Sequence, residues 1–83
     1  MSKFTGRLFV LYEGREQAGD AAGVENAPIL ATAISEPKAR ELGHWFRDAL
    51  WWEYEVSQGQ ITGGIPRWDI WVCRGLLNLR KAK

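Results

Sequence analysis

Leu-Trp-Trp-Glu-Tyr-Glu-Val, residues 50–56, is the stretch whose reading decides the fold. Leu50, Trp52, Tyr54 and Val56 form one alternate set, and Trp51, Glu53 and Glu55 the other. Successive side chains of a strand point to opposite faces, whereas helix neighbours recur three and four residues apart. Residues 50–56 are therefore a strand. The period is different just upstream, where Ala39, Leu42, Phe46 and Ala49 recur at spacings of three and four while Lys38, Arg40, Glu41, Arg47 and Asp48 take the other sides. That pattern is an amphipathic helix with one face packed on something apolar. Ser35 supplies the hydroxyl of an N-cap. Glu36 and Pro37 suit the first turn, where a carboxylate meets the positive end of the helix dipole and a missing amide donor costs little.

Working outward, residues 7–12 are apolar and aromatic and lie between Gly6 and Gly14, which reads as a first strand. Residues 28–34 are β-branched and small after a proline that can open a strand, which reads as a second. Residues 68–73 alternate again, with Trp68, Ile70 and Val72 opposed to Asp69, Trp71 and Cys73. Turn glycines at Gly59 and at Gly63-Gly64 make 50–73 a hairpin with a bulge or a long loop. The expected fold class is α+β, a small antiparallel sheet of about four strands with one helix packed on one face, in the order ββαββ. The helix should cover Leu50, Trp52, Tyr54 and Val56 together with Trp68, Ile70 and Val72. Residues 13–26, rich in Gly, Ala, Glu and Asp, form a long surface loop, and residues 74–83 a basic C-terminal tail.

Eighty-three residues make one small domain, and a chain of that length buries roughly 60 to 65 per cent of the surface it exposes unfolded. With 46% hydrophobic and 25% charged residues the composition is that of a folded domain and excludes a disordered one. The single cysteine, Cys73, cannot form an internal disulfide, which points to a reducing, cytoplasmic setting. No window approaches the roughly 18 apolar residues of a membrane span, and the N-terminus lacks the apolar run of a signal peptide. The net charge of +1 hides a segregation. Glu13, Glu16, Asp20 and Glu25 face Arg15 alone in the loop, whereas Arg67, Arg74, Arg80, Lys81 and Lys83 face Asp69 alone near the end.

Catalytic arrangements do not assemble from these residues. His44 and Asp48 share a helix face, as an imidazole and its orienting carboxylate would, but no nucleophile accompanies them. Cys73 sits on a strand, where a lone cysteine is ordinarily packed. One His and one Cys make no zinc pattern, and the glycines of residues 14–23 match neither a phosphate loop nor a dinucleotide fingerprint. Glu53 and Glu55 share a sheet face as a glycosidase pair would, although alternate glutamates on an exposed strand ordinarily keep it soluble. No enzyme, metal or cofactor is expected.

Aromatic residues carry more information, because five of the ten are tryptophan. If Trp52 and Trp68 face the helix, Trp51 and Trp71 face away, either under a second layer or as an exposed patch. Exposed tryptophans beside charged residues are what an interface hot spot consists of. The expected partner-binding set is Trp51, Trp71, Glu53, Glu55, Arg67 and Asp69, contacting another protein or a second copy of the chain. Nucleic acid is the alternative partner, with aromatics stacking on bases and Arg67, Arg74, Arg80, Lys81 and Lys83 meeting phosphates; Glu53, Glu55 and Asp69 oppose it. In its small size, its loop-rich α+β build and its lack of an active site, the chain resembles the small orphan accessory proteins of phages and other mobile elements, the class that includes anti-CRISPR and other anti-defence inhibitors. That resemblance is one of build and carries no residue with it. It implies a non-enzymatic protein that inhibits a host protein by covering its surface.

Overall fold

The computed structural model describes residues 3–73; the basic segment 74–83 expected from the sequence lies outside them. Four strands, β1 (Gly6–Glu13), β2 (Ile29–Ala33), β3 (Ala49–Ser57) and β4 (Gln60–Arg67), form one antiparallel sheet in the spatial order β2-β1-β3-β4. Between β1 and β2 lie a 3-10 turn, Gln17–Gly19, and a one-turn helix, α1 (Ala21–Val24); between β2 and β3 lie α2 (Glu36–Leu42) and a 3-10 turn, Gly43–Trp45. The expectation of a four-stranded antiparallel sheet with a helix on one face holds. The element order differs, because residues 13–26 contribute helical turns and the last strand falls elsewhere.

That last strand is the main correction. β4 occupies residues 60–67, and not 68–73. Gln58 and Gly59 both take positive φ, 50° and 81°, the backbone that a two-residue hairpin turn requires. With the reversal completed there, the chain runs straight through Gly63-Gly64 as strand. Gly64 is glycine of necessity, since a Cβ would stand 2.4 Å from the Tyr54 ring. After Arg67 the chain turns, and residues 70–73 lie outside the sheet ladder, held by Cys73 N–H donating to the Gly43 carbonyl at 2.9 Å. Ile70, Val72 and Cys73 are buried beside the end of α2. They cap the end of the core, while Trp68, Asp69 and Trp71 of the same segment stay exposed.

Face assignment is the second correction. α2 lies over Phe9, Leu11, Ala33, Ala49 and Trp51, and Leu42 and Phe46 pack against this cluster. It does not lie over Leu50, Trp52 and Tyr54. Trp51 shares this cluster with the small side chains of Ala33, Ala39 and Ala49, which leave room in it for an indole. The opposite face, Leu50 and Trp52 with Tyr12 and Tyr54, is covered by residues 13–27 through Ala18, Val24 and Ala27. Both faces are thus partly covered, and alternation alone could not say which set α2 takes.

Ser35 caps α2 as expected, its hydroxyl accepting from Lys38 N–H at 3.4 Å. The helix is shorter than its apolar period, ending at Leu42, and Ala49 already belongs to β3. Gly43 marks the end: its absent Cβ would stand 2.5 Å from the Trp71 carbonyl oxygen, so the capping segment presses directly on the helix terminus.

Candidate functional site

Of the expected binding residues, Glu53, Arg67 and Asp69 come together. β3 and β4 set Glu53 beside Arg67 on the α2 face, and the turn after β4 brings Asp69 back onto the same guanidinium. Arg67 donates Nη1–H to Glu53 and holds Asp69 with two bonds of 2.8 Å, from Nε and Nη2. Its Nη2 also lies 3.4 Å from Glu36. Arg40, one turn along α2, donates to Glu36 at 2.6 and 3.0 Å and lies 3.7 Å from Asp69. Arg7 of β1 completes the group at 3.2 Å from Glu53. Three guanidinium groups thus neutralise three carboxylates and tie β1, α2, β3 and β4 to the turn at 68–69.

Its electrostatics follow from the contacts. The bidentate bond from Arg67 holds the Asp69 carboxyl down at about 2. Glu36 is lowered chiefly by its bond from Arg40. Arg67 is raised, above all by Asp69, with burial opposing and Glu53 adding. Each of the three carboxylates is bonded to a guanidinium, so the arrangement is a clamp between elements.

Trp51 lies beneath this clamp, fully buried, and therefore presents no surface in the described fold. Its indole Nε1 has no hydrogen-bond partner among the described residues. Glu55 is exposed and makes no ion pair among the described residues, although Arg7 of the network is its cross-strand neighbour. Trp71 is 44% exposed, and the His44 ring lies 4.8 Å from it, tilted by 49°. His44 thus packs on Trp71, while the Asp48 carboxylate accepts from Arg15 N–H at 3.3 Å. The chain at Cys73 does meet Gly43, next to His44, but the thiol is buried. Among the described residues no three His, Cys, Asp or Glu side chains converge as metal ligands would.

Sequence reasoning missed two tryptophans at this end of the molecule. Trp45, on the 3-10 turn after α2, is 76% exposed, and Trp68, assigned to the core, is 49% exposed. Trp68 is positioned from below: Arg15 lies over its ring at 5.0 Å, and a Cβ on Gly19 would stand 2.7 Å from it. Arg15 also donates to the carbonyls of Ala49 and Trp68, both at 3.1 Å. Trp68 and Trp71 share a depression of about 220 Å³ with Arg15, Asp69, Ile70 and Val72. That is below the ~300–1,000 Å³ of small-molecule sites. Arg47, exposed and two residues from Trp45, has no ion-pair partner among the described residues. The signal for Trp45 was present: Gly43 ends the helix, so a tryptophan two residues later leaves the packed face.

No helix among the described residues is long and apolar enough to cross a membrane. Comparison with known proteins finds no matching family model, no matching curated protein and no matching solved structure.

Proposed function

We propose that this chain is a small non-enzymatic protein-binding module that acts by occupying its partner's surface, with Trp45, Trp68 and Trp71 as anchors and Arg47 beside them. The observation that carries the reading is the exposure of three of the five tryptophans in a fold that buries the other two. Leaving an indole in water forgoes roughly 2 kcal/mol or more of burial, which a partner recovers on docking. Trp and Arg are the residues that dominate interface energetics. Inhibition of a host protein by occlusion, in a reducing cytoplasm, is the form of this proposal that the chain's build suggests; a single buried cysteine suits it.

Nucleic acid is the competing reading, supported by the same exposed aromatics. Against it, Arg7, Lys38, Arg40 and Arg67 are ion-paired and Arg15 is bonded to main-chain carbonyls, which leaves few cations for phosphates among the described residues. Capture from the source cell with the wild type, followed by titration of the purified captured protein, tests the proposal. Trp45→Ala with Trp71→Ala should weaken that affinity at least tenfold. Undiminished affinity, or capture of nucleic acid with a steep loss as salt rises, would overturn it.

A further inference from the structure

β4 is an edge strand, with β3 on one side and no strand on the other among the described residues. It is almost wholly exposed and carries no charge before Arg67. Edge strands usually blunt themselves with charges, because their free amides and carbonyls template further pairing. Here Pro66 removes a donor near the far end and the register shifts once, between Ile61 and Gly63; the outward-pointing amides among residues 61–65 remain.

Gly63 stands in the middle of this edge without a reason in the fold. Its φ is not positive, and a Cβ built on it meets nothing within 4 Å. Its neighbour Gly64 is forced by the Tyr54 ring. Gly63 is not, although glycine is a poor strand former. What its bareness creates is a depression of about 290 Å³, lined by Glu53, Glu55, Gly63, Gly64 and Ile65. Glu55 is the cross-strand partner of Gly63, so it lies directly behind the gap. In the neighbouring clamp three cations and three anions balance; the Glu55 carboxylate has no ion-pair partner among the described residues.

We propose that β4 receives an extended, basic segment of a partner protein as a fifth strand, a lysine or arginine of that segment crossing the bare Gly63 to meet Glu55. Main-chain pairing along the edge supplies affinity in such β-addition, and the pocket between alternate side chains supplies selectivity. The aliphatic stem would lie on Ile65, which is 56% exposed, with its charged head at the carboxylate. This surface is separate from the tryptophan surface and stands whether or not that one binds.

An eight-residue peptide of alternating threonine and lysine, titrated into the isotopically labelled protein, tests this. Shifts should centre on the amides of residues 60–65, and the threonine and glutamate counterpart should bind at least tenfold more weakly. A Cβ at position 63 meets nothing within 4 Å, so Gly63→Val should fill the gap, melt like the wild type or above it, and still lose the lysine peptide at least tenfold. Glu55→Gln should weaken binding several-fold and flatten its salt dependence. Equal binding of both peptides, or a folded Gly63→Val that binds as the wild type does, would overturn the proposal. So would a concentration-dependent dimer that Gly63→Val abolishes, since the edge would then serve a second copy.

Discussion

Trp52 donates its indole N–H to the main-chain carbonyl of Ala18 at 2.8 Å, across 34 residues of sequence. That bond joins β3 to the 3-10 turn after β1 and converts residues 13–26 from a connection into the cover of one sheet face. Trp51, its neighbour, is buried on the other face with its own indole N–H unpaired among the described residues. Two adjacent tryptophans thus anchor the two layers of the fold.

Trp52→Phe should therefore lower stability by about 1–3 kcal/mol, because the Ala18 carbonyl is left buried without its donor. The effect should localise. Amide exchange of residues 17–24 should quicken more than that of β1, since the cover opens before the sheet does. Uniform quickening across the sheet would show that the bond does not define a separate unit.

Arg15 fastens the same cover from its other end, with one fork spanning the carbonyls of Ala49 and Trp68 while the guanidinium plane lies on the Trp68 ring. A lysine carries the charge but cannot reproduce a planar, two-armed donor. Arg15→Lys should cost about 1–2 kcal/mol in urea midpoint and change the fluorescence of Trp68. A lysine variant matching the wild type in both would show that charge alone suffices.

How much of this was legible follows from what alternation can and cannot say. The period of residues 50–56 identified β3 and placed Trp51 and Trp52 on opposite sides. It could not identify the side beneath α2, because both sets hold large apolar residues and both are covered. β4 was illegible: an exposed edge strand buries too little to impose a pattern, and Gly63, Gly64 and Pro66 read as breaks. Residues 68–73 imitated a strand because two sets of large side chains alternate in the sequence, although burial does not follow them: Val72 and Cys73 are both buried and Trp68 and Asp69 both exposed. Within the clamp, Arg67, Asp69 and Glu53 were legible as charges near one another. Glu36, Arg40 and Arg7 were not, since they arrive from β1 and α2 by tertiary packing.

The clamp makes stability depend on acidity in a defined direction. Asp69, held at about 2 against an ordinary value of 3.8, favours the folded state wherever it is ionised there. Its contribution is complete above about pH 4 and is lost as pH falls toward 2. The carboxylate is more than half exposed, so salt screens the effect. Melting temperatures of the wild type and Asp69→Asn should differ at pH 6 and converge as the pH approaches 2. A constant difference across that range would show that the Arg67 bond contributes nothing through ionisation.

The tryptophans divide into those that hold the fold and those available to a partner. Trp51 is fully buried between α2 and the sheet, so Trp51→Ala should cost about 3–5 kcal/mol as a cavity. Small domains have little more than that to lose. Trp45 and Trp71 are exposed, and apart from the His44 ring on Trp71 they make few demands on the core. Trp45→Ala with Trp71→Ala should therefore shift the melting temperature by only a few degrees, the equivalent of about 1 kcal/mol. The same double variant should weaken partner binding by about 2–4 kcal/mol if these side chains are the anchors. Thermal unfolding and titration calorimetry on all three proteins separate the outcomes. A double variant that unfolds as readily as Trp51→Ala would assign these indoles to the core, and one that stays folded and binds normally would move the interface to another face.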